Sequence, residues 1–278
     1  MFKKRNYTWN DGKTLTLQDK TLIMGILNGT PDSFSDGGKY NTVETAVAHT
    51  VDMIAQGADV IDLGVESTRP GHTQLTVKEE LERLEMLLPP VLEASTVPVS
   101  VDTYRAETAE FALSKGAHIL NDIWGLQYDS DIAAVAAAYK VPVIIMHNAV
   151  SNEYDDIIED MKAFFFSSID KALKAGIGVQ NIWLDPGIGF AKDYNQNIEV
   201  LQRLGELTAY EYPVLLAPSR KRFIGTILDD IPADQRDEGT VACCITGILQ
   251  GVDMVRVHNV EMHKRALAVA DVLLRGEL

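Results

Sequence analysis

Residues 97–122 read VPVSVDTYRAETAEFALSKGAHILND and contain one complete unit of the pattern that decides the fold. A short apolar run ends in Asp102, an amphipathic stretch follows over 105–115, and a second apolar run ends in Asn121 and Asp122. Runs that are apolar at nearly every position indicate strands buried on both faces, as in parallel sheets. The segment therefore predicts a strand, a helix and a second strand that is parallel to the first.

The same unit recurs along the chain. The predicted strands are 22–28, 59–64, 97–102, 117–122, 141–147, 181–185, 212–217 and 252–258. The predicted helices are 42–56, 76–94, 105–115, 130–139, 155–175, 195–208, 238–250 and 260–275. Repeated strand–helix units of about 30 residues predict an α/β protein with the architecture of a (β/α)8 TIM barrel. Because no linker-like or low-complexity segment interrupts the pattern, we expect a single domain over residues 1–278.

An open doubly wound sheet is the alternative architecture. It would more often carry a glycine-rich nucleotide fingerprint after its first strand, and GILNGTPDSFSDGG at 25–38 does not have that spacing. Residues 6–17 alternate in polarity around a turn at Asn10-Asp11-Gly12, which predicts a short N-terminal β-hairpin. We expect this hairpin to cap the N-terminal end of the barrel.

The composition limits the class of protein. The formal net charge is −15, which argues against nucleic acid and against anionic membranes as partners. Cys243 and Cys244 are adjacent, so we expect no ordinary disulfide and a reducing, cytoplasmic location. The sequence contains no apolar run of about 20 residues, so we expect neither a membrane span nor a secretory leader.

Polar side chains stand at the C-terminal ends of the predicted strands, where α/β barrels carry their sites. These residues are Asn28, Asp62, Glu66, Asp102, Asn121, Asp122, His147, Asp185, Lys221, Arg256 and His258. Any one of them could cap the following helix; we interpret Asp122 as a structural hydrogen-bond partner, and His147 fits a structural and a supporting role equally. Together, Asp102, Asn121 and Asp185 predict a site for a flat, nitrogen-rich ring, because their oxygens accept several N–H donors.

Two basic segments predict an anion site beside that ring site. The stretch 219–222 (SRKR) follows the strand at 212–217 and opens a short helical stretch, and Arg256 and His258 end the last strand. Loops after the seventh and eighth strands hold phosphate in many barrels of this kind. The sequence contains neither a zinc-like cluster of Cys and His nor a nucleophile elbow, which lowers the weight of those reaction classes.

Seven segments, in this order, resemble the dihydropteroate synthase family. They are LIMGILNGTPDSFSDGG (22–38), DLGVESTRPG (62–71), SVDTYRAE (100–107), HILNDIWG (118–125), LDPGIGF (184–190), SRKRFIG (219–225) and VRVH (255–258). The resemblance implies a transferase of folate biosynthesis that joins 6-hydroxymethyl-7,8-dihydropterin diphosphate to 4-aminobenzoate. Pyrophosphate and 7,8-dihydropteroate are its products, Mg²⁺ is its metal, a homodimer is its assembly, and sulfonamides mimic its aminobenzoate.

The resemblance also implies roles for matched residues around the pterin. Asp102, Lys221 and Arg256 are the implied catalytic residues, with Asp102 stabilising positive charge near the ring. Asn121 and Asp185 would bind the pterin edge. The pocket would be lined by Ile123, Met146 and Phe190.

Other implied roles concern the diphosphate and the aminobenzoate. His258 and Asn28 would lie at the diphosphate, and Asn28 would ligate Mg²⁺ through its amide oxygen. Further substrate-binding residues would be Phe34, Thr68, Arg69, Pro70 and Arg222, of which residues 68–70 would lie over the aminobenzoate.

The chain departs from the family pattern at a few positions near the predicted aminobenzoate end. The family usually has a branched residue in place of Gly29, a glycine in place of Val65 and in place of Ala217 (before Pro218), and serine in place of Arg222. Two alternative functions stay open at this point. One is a barrel that transfers methyl groups from a folate to a corrinoid, and the other is a non-catalytic pterin-binding protein.

Overall fold

The structure is a computed structural model that describes residues 4–17, 20–29, 39–66 and 74–276. Its strands are β1 (Arg5–Thr8), β2 (Thr14–Leu17), β3 (Leu22–Asn28), β4 (Val60–Gly64), β5 (Val99–Asp102), β6 (Ile119–Asp122), β7 (Val143–Met146), β8 (Ile182–Asp185), β9 (Leu215–Leu216) and β10 (Met254–Val257). Its helices are α1 (Lys39–Gln56), α2 (Val77–Ala94), α3 (Ala106–Ser114), α4 (Ile132–Tyr139), α5 (Ile157–Ala175), α6 (Tyr194–Gln202), α7 (Gly205–Thr208), α8 (Arg222–Ile227), α9 (Asp237–Leu249) and α10 (Val260–Arg275).

The strands from β3 to β10 form a closed parallel barrel. In the described residues they pair in the order β8-β7-β6-β5-β4-β3-β10-β9. A parallel bridge between Leu184 on β8 and Val214, just before β9, joins the two ends of that order. The predicted (β/α)8 barrel is therefore confirmed, and the open doubly wound sheet is wrong.

Most predicted elements differ from the observed ones by one to three residues at an end, and two differ more than that in total extent. The predicted strand 212–217 is regular only over β9, because the flanking Pro213 and Pro218 carry no N–H for the ladder. The predicted helix 195–208 is divided into α6 and α7. The division lies next to Gly205, a poor helix former whose N–H is bonded instead to Oε1 of Gln250 over 2.9 Å.

Side chains of the barrel strands point alternately inward and outward. The outward-facing ones, such as Ile61, Leu63 and Val143, pack against the surrounding helices in one continuous core. At the N-terminal end of the barrel, the inward-facing ones form a separate apolar layer. It contains Leu22, Met24, Val60, Ile119, Ile144, Trp183, Leu215 and Met254.

The predicted hairpin is confirmed, and it closes the N-terminal end of the barrel. β1 and β2 pair antiparallel, and the side chains of Tyr7, Leu15 and Leu17 pack into the lower apolar layer. The Tyr7 hydroxyl accepts from Nε1 of the fully buried Trp183 over 2.7 Å. This end of the barrel is thus sealed, and the opposite end is left to carry the polar residues. In the described part of the chain, no helix is long and apolar enough to span a membrane.

Candidate functional site

A polar layer lies above the apolar layer inside the barrel. Asp62 lies two residues beyond Val60 and therefore on the same inward face of β4. The strand register places Asp102 of β5 beside Asn121 of β6, and Asp185 of β8 beside Met146 of β7. Parallel strands all end at the same edge, so residues far apart in sequence meet at the barrel mouth.

Arg256 is the cation at the centre of this layer. Its Nε donates to Oδ2 of Asp62 over 2.6 Å, and its Nη2 donates to Oδ2 of Asp102 over 3.4 Å. Asn121 donates through Nδ2 to the same Asp62 oxygen over 3.2 Å. One guanidinium therefore connects β10 with β4 and β5, and Asp62 connects it further to β6.

Two carboxyl groups of the layer have raised pKa values. Burial, followed by the charge of Asp62, raises the pKa of Asp102 to about 8, although Arg256 opposes the shift. Burial also raises the pKa of Asp185 to about 6, against the N–H of Gly187 and the charges of Lys221 and Arg256. Strongly shifted carboxyl groups gathered in one cleft are typical of functional sites.

Two acceptor atoms of the layer are buried without a hydrogen bond in the described part of the chain. Within the described residues, Oδ1 of Asp62 and Oδ1 of Asn121 have no partner. Asp62 is 0% exposed and Asn121 is 4% exposed, so bulk water does not reach these atoms freely. A buried polar atom without a partner costs free energy. The barrel mouth is therefore suited to a ligand that carries N–H donors.

Apolar side chains form one wall of the mouth. Ile123 and Met146 pack with Tyr104, and Phe190 packs against this group. The ammonium of Lys221 lies 4.2 Å from the centroid of the Phe190 ring. The mouth therefore has an apolar wall with a cation in contact with one of its rings, which suits the face of a flat ring.

The loops after β9 and β10 meet at the rim of the mouth. Oγ of Ser219 lies 2.8 Å from Nδ1 of His258, and the His258 N–H donates to the same oxygen over 3.1 Å. Arg222 begins α8 and is exposed to solvent. Asn28 ends β3 beside Gly64 and is partly buried. Phe34, Thr68, Arg69 and Pro70 lie outside the described residues.

Three residues near the mouth were given no site role from the sequence. Asp62 was recognised only as a polar residue at a strand end, because its contact with Arg256 is visible only in the structure. Ser219 was visible only as part of a basic stretch. Lys192 was missed altogether: its ammonium lies 2.9 Å from Nδ1 of His147 and donates to the carbonyl oxygens of Gly187 and Phe190, both over 3.1 Å.

The two residues whose strand-end roles were in question are now placed. Asp122 accepts the backbone N–H groups of Trp124 and Leu126 over 2.8 Å and 2.7 Å, so it organises the turn after β6. His147 is buried and contacts Lys192, and burial followed by the Lys192 charge lowers its pKa strongly. A neutral His147 therefore accepts from Lys192, which lies on the loop that follows Asp185.

Comparison with known proteins gives one consistent family. A family model described as "Pterin binding enzyme" matches residues 24–258. The dihydropteroate synthase of Bacillus subtilis (strain 168) is 47% identical over 260 residues, which are 94% of this chain and 91% of that protein.

Two solved structures have the same fold over almost the whole chain. The dihydropteroate synthase of Clostridium difficile, solved in the presence of pteroic acid, has a TM-score of 0.91 and 48% identity, covering 93% of this chain and 98% of that one. The enzyme of Xanthomonas albilineans, solved with 4-aminobenzoic acid, has a TM-score of 0.90 and 38% identity, covering 95% and 96%. The match of the family model to residues 24–258 includes the strand ends that form the mouth.

Proposed function

Because the chain belongs to the dihydropteroate synthase family, we propose that it condenses 6-hydroxymethyl-7,8-dihydropterin diphosphate with 4-aminobenzoate to give 7,8-dihydropteroate and pyrophosphate. The single observation that supports this most directly is the ring of buried acceptors around Arg256. Oδ1 of Asp62 and Oδ1 of Asn121 lack partners in the described part of the chain, and a pterin edge offers the N–H donors that they need.

The pterin lies flat against the apolar wall, above the buried acceptors of the polar layer. Asn121 and Asp185 accept its N–H groups, and Ile123, Met146 and Phe190 contact its faces and edges. Lys221 also binds the pterin, and its charge opposes the burial that raises the pKa of Asp185 to about 6. The Coulombic attraction and the hydrogen bonds fix the ring with its methylene group toward the rim.

The reaction is a dissociative substitution at that methylene group. As the C–O bond breaks, positive charge develops beside the carboxylate of Asp102, which stabilises it electrostatically. Negative charge develops on the departing diphosphate, where Arg256 and His258 neutralise it. The amine of 4-aminobenzoate then attacks the methylene carbon and loses a proton, so the enzyme forms no covalent intermediate.

Asn28 fits a magnesium ion that would be bound together with the diphosphate of the substrate. Asn28 offers a hard amide oxygen at the edge of the barrel, and the described chain contains no group of three or more His, Cys, Asp or Glu that could hold a metal. Mg²⁺ commonly takes most of its ligands from phosphate and water. When bound, the ion supplies additional charge neutralisation for the leaving diphosphate.

The remaining assignments concern the aminobenzoate, the assembly and the location. We assign aminobenzoate contacts to Phe34, to residues 68–70 and to Arg222, and we treat residues 1–278 as one pterin-binding domain. The family resemblance and an exposed apolar row on α10 (Val269, Val272 and Leu273) support a homodimer. The free thiols of Cys243 and Cys244 fit a cytoplasmic location.

A pyrophosphate-release assay tests the proposal. With pterin diphosphate, 4-aminobenzoate and Mg²⁺, the protein should release pyrophosphate, and a sulfonamide should compete with the aminobenzoate. Asp185→Asn should lower turnover, whereas Asp170→Asn, at an exposed ion pair on α5, should not. The proposal is wrong if pyrophosphate release is absent or does not require the aminobenzoate. Methyl transfer from a methyl-folate to a corrinoid would replace it with the alternative activity.

A further inference from the structure

Arg220 lies between two residues of the site and has an unusual backbone conformation. Its φ is +57°, in the left-handed region that residues other than glycine rarely adopt. Such strain persists only where surrounding contacts hold it, and it is frequent at functional sites. Contacts around Arg220 must therefore hold its backbone in this conformation.

The side chain of Arg220 is fixed by a two-pronged ion pair. Its Nε donates to Oδ1 of Asp237 over 2.7 Å, and its Nη2 donates to Oδ2 over 2.8 Å. The backbone is held as well, because the Arg220 N–H donates to Oγ1 of Thr240 over 3.0 Å and its carbonyl accepts from Arg236 over 3.2 Å. Bidentate pairs of this geometry are the strongest and most directional of protein ion pairs.

Within the basic stretch 219–222, Arg220 therefore differs from its neighbours in what its side chain contacts. The guanidinium of Arg220 is occupied by Asp237, at the start of α9. The residues on either side reach the mouth instead, with Ser219 against His258 and Lys221 beside the Phe190 ring. The sequence predicted one basic cluster, whereas in the structure Lys221 contacts the mouth, Arg220 is paired with Asp237, and Arg222 is exposed to solvent.

Asp237 also reaches the loop after β10. Its Oδ2 accepts from Nδ2 of Asn259 over 3.0 Å, and Asn259 directly follows His258 and caps α10 through the N–H of Met262. Asp237 is 6% exposed. Burial pushes the pKa of Asp237 upward, but the hydrogen bonds from Arg220 and Asn259 outweigh burial and leave the pKa lowered. One ionised carboxylate thus ties together the two loops that form the rim.

We propose that Arg220 and Asp237 are positioning residues for the diphosphate end of the site. The pair locks residue 220 in its left-handed conformation, and through Asn259 it fixes the His258 loop at the same time. Ser219, Lys221 and His258 are then held in place before the substrate arrives, so little ordering is needed on binding. This inference rests on the proposed function, because it names the leaving diphosphate as the group that these loops receive.

Calorimetric binding of inorganic pyrophosphate with Mg²⁺, together with the KM for each substrate, tests the pair. Asp237→Asn and Arg220→Gly should each weaken pyrophosphate binding and raise the KM for pterin diphosphate about tenfold. The KM for aminobenzoate at saturating pterin diphosphate should stay within about twofold. Arg220→Gly is informative because glycine accepts the left-handed conformation without strain. Any loss of pyrophosphate affinity in this variant therefore reports the loss of the ion pair with Asp237. Arg220→Lys should recover part of the affinity through one hydrogen bond.

The controls separate this inference from the proposed function. Asp170→Asn removes a carboxylate from an exposed ion pair elsewhere and should behave as the wild type. If the wild type binds pyrophosphate and turns over, but Asp237→Asn and Arg220→Gly retain its affinity and both KM values, the positioning role is wrong. It is also wrong if affinity falls only in step with the melting temperature, with no recovery in Arg220→Lys. If the wild type neither binds nor releases pyrophosphate, the proposed function itself fails.

Discussion

Arg256 and Asp62 are bonded across the barrel mouth, with Nε 2.6 Å from Oδ2, although 194 residues separate them in the chain. Asp62 is completely buried, and the side chain of Arg256 is 18% exposed. Asp62 also accepts from Asn121. The orientation of the predicted catalytic arginine and of the predicted pterin-binding amide therefore depends on one carboxylate.

Asp62→Asn should damage both stability and substrate binding. The asparagine keeps the shape and one acceptor oxygen but removes the charge, so the only direct ion pair left to the buried guanidinium is the longer one with Asp102. Removing one partner of a buried pair costs ~3 kcal/mol. We expect a lower free energy of unfolding in denaturant and a KM for pterin diphosphate raised at least tenfold. A variant with wild-type stability and wild-type KM would show that Arg256 does not depend on Asp62.

Asp62 also shows which parts of the site could be predicted from the sequence and which could not. Strand-end position alone predicted that Asp102, Asn121 and Asp185 gather at one mouth, because parallel strands of a barrel end on the same side. The partners within the mouth could not be predicted, since they depend on register and on which strand faces which. The position of Lys192 could not be predicted for another reason. Its position follows from the loop after β8, where Gly187, Gly189 and Ala191 have positive φ angles, and no apolar pattern marks such a loop.

Asp102→Asn should make the protein more stable at alkaline pH while lowering its activity. Burial in the folded state raises the pKa of Asp102 from its ordinary value of about 4 to about 8, so the folded protein holds the proton more tightly than the unfolded chain. The stability that this group contributes is present below about pH 4 and is lost as the pH rises to about 8. The asparagine does not ionise. The melting temperature of the variant should exceed that of the wild type at pH 8 and approach it as the pH falls toward 4.

The activity of the wild type, compared with that of Asp102→Asn, should change with pH in the opposite direction from its stability. If the carboxylate of Asp102 stabilises the developing cation, kcat/KM of the wild type should rise up to about pH 8 and the variant should lose that rise, together with about 100-fold in rate. The Asp170→Asn protein should match the wild type in both profiles. Equal melting temperatures of wild type and Asp102→Asn at all pH values would contradict the raised pKa.

Tyr7→Phe should reduce stability without affecting catalysis. The Tyr7 hydroxyl accepts from Nε1 of Trp183 and donates to the carbonyl oxygen of Gln180, both at the sealed end of the barrel. Phenylalanine leaves the buried indole N–H without its acceptor, which costs ~1–3 kcal/mol. Denaturant unfolding should show this loss, and kcat and both KM values below the transition should be unchanged. A drop in kcat in fully folded Tyr7→Phe would mean that the two ends of the barrel are coupled.

Gly29 and Val65, two departures from the family pattern, share one space between β3 and α2. A Cβ on Gly29 would lie 3.2 Å from Cγ1 of Val65 and 2.5 Å from Cδ1 of Leu87. Val65 and Leu87 are both essentially fully buried. The resemblance to the family predicts a branched residue at the first position and a glycine at the second, which would place the bulk on the other side of this contact.

A double-mutant cycle should reveal this exchange of volume. Gly29→Ala alone should destabilise by ~1–3 kcal/mol because the added methyl group overpacks the site. Val65→Ala alone should cost about 2 kcal/mol because it leaves a cavity. In the double variant the new methyl group, and Leu87 as it shifts, occupy the space vacated by the valine, so the total loss should be at least ~1 kcal/mol smaller than the sum. Val143→Ala, a buried valine on β7, provides the matched control and should add to Gly29→Ala without coupling. Additive losses for Gly29 and Val65 would mean that the two positions are not energetically coupled.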